Sequence, residues 1–424
     1  MTSVTLRVTG MSCEHCARTV EQALNGVPGI RASVAYDRET ARVDGTEDFD
    51  PALLSGASAP HGYGLEPPAD DPAQRTPPPR GGGLHVAVIG SGGAAFAAAI
   101  RAAEAGARVT MIERGDVIGG TCINVGCVPS KITLRAAAIR HYRGHHPFGG
   151  IARSEEPVDR RALLAQLRGR VDALRAAKYQ KIIDDNPLLE LLRGTARFEN
   201  ARTLTITDRI RTVTRLTPDR VLIATGAAPM LPAVPGLAGT PYWTSTEALF
   251  AEDIPARLAV IGSSFVALEL AQAFRRLGAE VAVLARRTLL TRQDPELGET
   301  LRLAFEAEGI SVLNGAQVRR ARFAAGRFIL ETGAGEVEAE RLLVATGRRP
   351  NTDGLGLEAA GVRTDRNGAI VVDGKLRTSA RNIYAAGDCA AMPQLVYVAA
   401  AAGTRAAINM TGGDARLDLS VVPV

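Results

Sequence analysis

Aromatic side chains are scarce in this chain. Phe, Trp and Tyr make up 4% of its 424 residues, with a single Trp, which leaves little for the stacked-base platforms of a single-strand binder. Basic residues barely outnumber acidic ones, 50 against 45, for a net charge of +5. No Lys/Arg block stands out, so no nucleic-acid partner is expected. Long apolar runs are missing as well. The longest small-apolar stretch, residues 92–103, is Ala-rich and interrupted by Arg101, too short and too polar to span a bilayer. The first ten residues have neither a basic segment nor an apolar core, so no secretory signal is visible. Cysteine is rare and odd in number, five in all, a poor disulfide framework. Four of the five fall into two close pairs, Cys13/Cys16 and Cys122/Cys127, a pattern that points to metal or redox chemistry in a reducing compartment. A cytoplasmic location is the expectation.

What is present is the mix of a globular protein with sizeable cores: 46% hydrophobic and 22% charged residues, enough chain for two or three domains. Residues 1–66 read as a small α/β module. Val4, Leu6 and Val8 alternate as in a half-buried strand. Residues 16–24 have helical spacing, with Val20 and Leu24 on one face, and Gly26, Pro28 and Gly29 end the helix. Residues 33–36 and 40–43 are further short strands. Residues 67–83 are dominated by Pro and Gly and suit a linker rather than a packed element. The body beyond contains an internal repeat. A strand at 86–89 enters Gly90-Ser-Gly-Gly-Ala-Ala95, and one at 258–261 enters Gly262-Ser-Ser-Phe-Val-Ala267. Each unit later reaches Ala-Thr-Gly-x-x-Pro, at 224–229 and 345–350. Two such βαβ units imply two nucleotide-binding lobes.

In the first loop Gly90 allows the tight turn, Gly92 and Gly93 let backbone approach a pyrophosphate, and Ala95 permits close helix–strand packing. The following strand, 108–112, ends at Glu113, whose carboxylate suits ribose hydroxyls. The second loop carries Gly262, Ser264 and Ala267. There the position matching Glu113 is Ala285, followed by Arg286 and Arg287. Loss of the acid and gain of two guanidinium groups favour the 2′-phosphate of NADPH. The most specific segment is Gly119-Gly-Thr-Cys-Ile-Asn-Val-Gly-Cys-Val-Pro-Ser-Lys131. Cys122 and Cys127 precede a helix-like stretch, 131–139, and thiols near a helix N-terminus are more acidic. A closed zinc site would want two more ligands, and none is close in sequence. His141, His145 and His146 are expected as solvated residues of a polar loop.

From Leu84 to about Asp414 these motifs resemble the flavin-dependent pyridine nucleotide–disulfide oxidoreductases. Within that family, the cysteine segment and the runs from Pro241 to Leu249, Gly262 to Phe274 and Val396 to Ala407 are most similar to the mercuric ion reductases. The resemblance implies an FAD lobe, an NADPH lobe and reduction of Hg(II) as substrate to Hg(0). It makes Cys122 the thiol facing substrate and Cys127 the one against the flavin. Lys131 would sit near the flavin N5 and pair with Glu269. Ala95, Gly115, Thr121, the backbone at Ala196, and Thr225 and Gly226 would lie on the FAD side. The run from Thr378 to Asp388 matches the second flavin motif; Gly387 and Asp388 would hold the ribitol chain, and Val396 would lie close to the ring. Cys389 is expected as a small packed residue.

The amino-terminal segment Gly10-Met-Ser-Cys-Glu-His-Cys16 resembles the heavy-metal-associated domain, which implies a ferredoxin-like βαββαβ module. Cys13 and Cys16 would be soft ligands for Cu(I), Zn(II) or Hg(II), with His15 no ligand. The expected α/β architecture is then that module at 1–66, a linker at 67–83, an FAD-binding part with the redox cysteines at 84–229, an NADPH-binding domain at 230–349 and a second FAD-binding part at 350–418. Residues 419–424 read as the start of a truncated dimerisation domain, which in the resembled family closes a homodimer and ends in a vicinal cysteine pair that this sequence does not contain. Two other readings compete. A disulfide reductase of the dihydrolipoamide dehydrogenase or glutathione reductase type shares the cysteines and both lobes but leaves Cys13 and Cys16 unexplained. A soft-metal-binding protein with an inactive flavoprotein body is at odds with intact motifs at Gly90, Cys122, Cys127 and Asp388.

Overall fold

The structure, a computed structural model, describes residues 2–9, 11, 14–36, 40–45, 54, 57, 63–66, 83–154, 156–333 and 335–423. Cys13 and nearly all of the expected linker lie outside the described residues, and of Cys16 only the backbone is described. The chain divides into two compact units, 1–82 and 83–424.

In the first unit β1 (Thr2–Thr9), β2 (Ile30–Ala35), β3 (Thr40–Gly45) and β4 (Gly64–Glu66) form an antiparallel sheet in the order β2-β3-β1-β4, with α1 (Glu14–Asn25) packed against it. Leu54 and Ala57, ahead of β4, are helical. This is the wiring expected of the βαββαβ module. Helical spacing puts Val20 and Leu24 on one face of α1, and both are fully buried against Leu6, Val8, Ala41 and Val43. Polar contacts fix the helix to β2: Asn25 exchanges two 2.9 Å bonds with the backbone of Ala32, and Glu21 accepts from the Val34 N–H at 2.8 Å.

The second unit begins with β5 (His85–Ile89), α2 (Gly93–Glu104) and β6 (Arg108–Glu113). The short α3 (Gly120–Asn124), α4 (Cys127–Gly144), α5 (Arg160–Arg175), one turn of π-helix (Ala176–Gln180) and α6 (Lys181–Asp184) follow, before β7 (Leu189–Arg193). Next come β8 (Thr195–Asn200), β9 (Thr203–Thr207), β10 (Val213–Leu216), β11 (Arg220–Ile223) and β12 (Ala227–Pro229). The chain then builds α7 (Ser245–Phe250), β13 (Arg257–Ile261), α8 (Phe265–Leu277), β14 (Glu280–Ala285), α9 (Pro295–Ala307) and β15 (Ser311–Asn314). Strands β16 (Val318–Ala324), β17 (Arg327–Thr332), β18 (Gly335–Ala339), β19 (Arg341–Val344) and β20 (Arg348–Pro350) lead to β21 (Ile383–Ala385) and α10 (Val396–Met410).

Two parallel sheets organise these elements: β21-β11-β5-β6-β7 and β15-β14-β13-β19. The central strands β5, β13 and β14 are apolar after their first residue because both faces are covered. Val86 and Val88 of β5 face α2 and α10, while Ala87 and Ile89 face the β8–β9 ribbon. In the second sheet Leu258 and Val260 face α8, and Ala259 and Ile261 face β16–β18. Helices α2 and α10 cross closely because their contact residues are small: a side chain at Gly403 would overlap the Ala94 carbonyl.

The two copies of Ala-Thr-Gly-x-x-Pro meet each other. Strands β12 and β20 pair antiparallel, Ala227 against Pro350 and Pro229 against Arg348. Asn351 seals the join, donating to the Thr225 carbonyl at 2.9 Å, while the Thr225 hydroxyl donates to the Asn351 carbonyl at 2.7 Å. Helix α4 extends beyond the expected 131–139 at both ends. Pro129 sits in the first turn, where no N–H is needed. The far end corrects the reading of His141 and His146, while His145 is exposed as expected. His141 is half-buried in the last turn of α4, its ring stacked on His145 at 4.4 Å, and the helical ladder runs on through the His145 N–H to the His141 carbonyl at 2.9 Å. His146 is half-buried too.

Candidate active site

Cys122 lies inside α3 and Cys127 is the first residue of α4, with Gly126 as its N-cap. The turn between them is pinned by the buried Asn124, which donates to the carbonyls of Ile118 at 2.8 Å and Gly120 at 2.9 Å and accepts from Arg175 of α5 at 3.0 Å. Gly120 has φ +66°, and a side chain there would strike the Gly92 backbone. That close approach brings the cysteine segment onto the glycine-rich loop at the end of β5.

The two sulfurs are unequal. The Cys127 thiol is lowered to about 6, first by the hydrogen bond from Cys122; burial opposes this, and its own backbone N–H and the Lys131 ammonium add to the lowering. Cys122, as the donor of that bond, is pushed far up. Cys127 therefore carries the thiolate at neutral pH, as a sulfur at the N-terminus of an 18-residue helix should. Lys131, one turn further along α4, forms an ion pair with Glu269 of α8.

Two neighbours have no counterpart among the sequence-derived candidates. Tyr179, on the π-helical turn, packs edge-on to Phe96 with ring centroids 4.8 Å apart. Burial raises its phenol, and the neighbouring Cys122 and Cys127 add to that. Arg348, on β20, bonds the Ala227 carbonyl, reaches Thr121 Oγ1 at 3.4 Å and lies 3.8 Å from the Asp388 carboxylate. It thus joins the cysteine segment, the motif crossover and the second flavin-like motif. Burial raises Asp388, and the Arg348 charge opposes that. The π-turn is invisible to helical periodicity. The neighbouring Arg349, paired with Asp353 at 2.7 Å, hid which arginine turns inward.

Around the first loop, Glu113 accepts from Ser91 Oγ at 2.5 Å and from the Gly115 N–H at 2.6 Å, closing the turn that leads to Gly119. Val396 begins α10 and packs on Gly93, while Gly387, at φ +81°, lies against Ala94 and Ala399. Ala95 is buried in α2, and Ala196 is buried in β8. Glycine backbone, a helix N-terminus and a half-buried acid–arginine pair fit a flavin dinucleotide. In the second loop Gly262 leads into Ser264, the N-cap of α8, and Ala267 is fully buried. Arg286 and Arg287 are exposed directly after β14. Cys389 is fully buried, its Sγ 3.4 Å from the Ile223 carbonyl. Among the described residues no cluster of three or more His, Cys, Asp or Glu could hold a metal, and no helix is long and apolar enough to cross a membrane.

Comparison with known proteins agrees with this geometry. The signature of the pyridine nucleotide-disulphide oxidoreductases matches residues 84–403, and that of the heavy-metal-associated domain matches residues 5–55. A mercuric reductase of Acidithiobacillus ferrooxidans is 55% identical over 422 residues, covering 99% of this chain and 76% of that protein. One from Shigella flexneri is 53% identical over 441 residues, with 99% and 78% covered. Among solved structures, the HOCl-induced flavoprotein disulfide reductase RclA of Escherichia coli superposes with a TM-score of 0.70 at 27% identity, over 79% of this chain and 72% of that one.

Proposed function

The chain belongs to the pyridine nucleotide-disulphide oxidoreductases and, within them, to the mercuric reductases, and from that premise we propose how its residues divide the work. The reaction is NADPH-dependent, FAD-containing reduction of Hg(II) to Hg(0). Bound FAD supplies the two-electron relay between NADPH and the metal.

The observation that carries the assignment of roles is the unequal placement of the two sulfurs, Cys127 at the N-terminus of α4 one turn ahead of Lys131 and Cys122 inside α3. Cys127 offers a ready thiolate, and Cys122 brings the proton that leaves when both sulfurs take Hg(II). Two thiolates are the soft donors this ion prefers. Lys131, paired with Glu269, adds positive charge near the Cys127 sulfur. Gly90, Gly92, Gly93, Ala95, Glu113, Gly115, Thr121, Ala196, Thr225, Gly226, Gly387, Asp388 and Val396 form the FAD cradle, and Arg348 supplies a cation to it. Gly262, Ser264 and Ala267 receive NADPH, with Arg286 and Arg287 placed for its 2′-phosphate. Cys13 and Cys16 gather metal on the amino-terminal module. We place the protein in the cytoplasm as a homodimer with no nucleic-acid partner; paired thiols and NADPH belong to a reducing compartment.

Cys127→Ser tests the reading. It should retain FAD and lose mercury-dependent NADPH oxidation. Loss of the flavin, or normal oxidation, would contradict it.

A further inference from the structure

We propose that Arg140 and Arg160 are positioning residues for hydride transfer, two guanidinium latches that tie helices of the NADPH lobe to helices of the FAD lobe. The inference rests on the reading that NADPH reduces FAD in this chain. Arg160 opens α5 and is 5% exposed. Its Nη2 donates to the Leu249 carbonyl at 2.7 Å and its Nε to the Ala251 carbonyl at 3.0 Å. Those carbonyls are the last turn and the C-cap of α7. Arg140 lies on α4, and its Nη1 donates to the Arg276 carbonyl at 2.8 Å, in the last turn of α8. Both arginines thus cap helices that belong to the other lobe.

Neither guanidinium is paired with a carboxylate among the described residues, and each keeps one buried nitrogen without a partner, Arg140 Nε and Arg160 Nη1. The partial negative charge at the helix C-termini is their counter-charge. A buried cation satisfied only by the carbonyls of a neighbouring lobe holds that lobe in one place, because any slip leaves cation and carbonyls both unsatisfied. By contrast, the Lys131–Glu269 pair is exposed, 60% and 38%, and such pairs hold little.

The placement connects to the chemistry. Helices α4 and α8 touch near their N-terminal ends through Lys131 and Glu269, and near their C-terminal ends through Arg140 and Arg276. Ala137, Ala273 and Leu277 form a small core between them. The N-terminus of α4 is Cys127, and that of α8 follows the nucleotide loop at Gly262. Helix α7 is anchored to the NADPH-lobe sheet just ahead of its start, where the Trp243 N–H donates to the Leu342 carbonyl at 2.7 Å. Fixing the C-terminal ends of α7 and α8 on α5 and α4 therefore sets where the nucleotide loop at Gly262 stands relative to the thiol pair. Misplacement by about 1 Å can cost on the order of a hundredfold in rate.

The test is flavin reduction by NADPH in the holoenzyme without mercury, followed by anaerobic stopped flow, together with amide hydrogen exchange of residues 244–251 and 272–279. In Arg160→Met the limiting rate should fall about tenfold or more, with the NADPH dissociation constant little changed and exchange of the segment that the arginine caps faster. Arg160→Lys, which keeps one donor, should recover part of both. Should Arg160→Met not fold, Arg140→Met, at a half-buried position, carries the same expectation. Wild-type reduction rates in the folded variants, or slower rates with unaltered exchange, would overturn the proposal. A wild-type flavin that NADPH does not reduce would overturn the functional reading instead, and the exchange signature of the latches would stand apart from it.

Discussion

Cys127 opens α4, one turn ahead of Lys131, while its partner Cys122 lies inside the short α3. One pair of identical side chains is thereby split into a proton carrier and a thiolate. The folded Cys127 value, about 6, lies below the ordinary 9.0. Stability from this group is therefore fully present above the unfolded value and is lost as pH falls through about 6. Thiolate absorbance of the reduced protein, with Cys127→Ser as the blank, should titrate near pH 6. In Cys122→Ala the donor is gone and the midpoint should move up. An unchanged midpoint would assign the lowering to the helix terminus and Lys131 instead.

Gly403 and Ala94 should tolerate no added volume. Gly403→Val would wedge α2 from α10, where the first loop and Val396 face each other. Overpacking of this kind costs about 1–3 kcal/mol. Urea unfolding should show that loss, and purified protein should carry less flavin. Full flavin content at wild-type stability would mean that the crossing is looser than the geometry indicates.

Arg286 and Arg287 should set the choice of nicotinamide cofactor. With both replaced by Ala, NADPH should weaken by about one to two decades, the worth of a lost charge-assisted contact of roughly 1.5–3 kcal/mol, while NADH changes little. Equal effects on both cofactors in steady-state kinetics would leave these arginines as solvated surface charges.

Much of the fold was legible because period-two and glycine-loop signals are local. The strand ending at Glu113 and its partner ending at Ala285 could be read directly, and both do end there. The start of α4 was hidden by Pro129, and its end by the cluster of Arg140, His141, Arg143 and His145, which looks like a solvated loop until the helical ladder is seen. Arg348 and Tyr179 were beyond reach for a different reason. Arg348 meets Asp388, Thr121 and Ala227 only through a pairing of strands more than a hundred residues apart, and Tyr179 turns inward on a π-turn that breaks the 3.6-residue period. Arg160 offered no signal, since a buried cation without an acid is unremarkable in a sequence rich in arginine.

Electrons from NADPH leave the Cys122/Cys127 site as metallic mercury. The most direct measurement is simultaneous recording of NADPH oxidation and of Hg(0) vapour from anaerobic, thiol-buffered Hg(II). The account predicts equal molar amounts of each in the wild-type protein and neither in Cys122→Ser/Cys127→Ser. NADPH consumption without mercury vapour, or consumption driven by glutathione disulfide or a lipoamide disulfide but not by Hg(II), would contradict it.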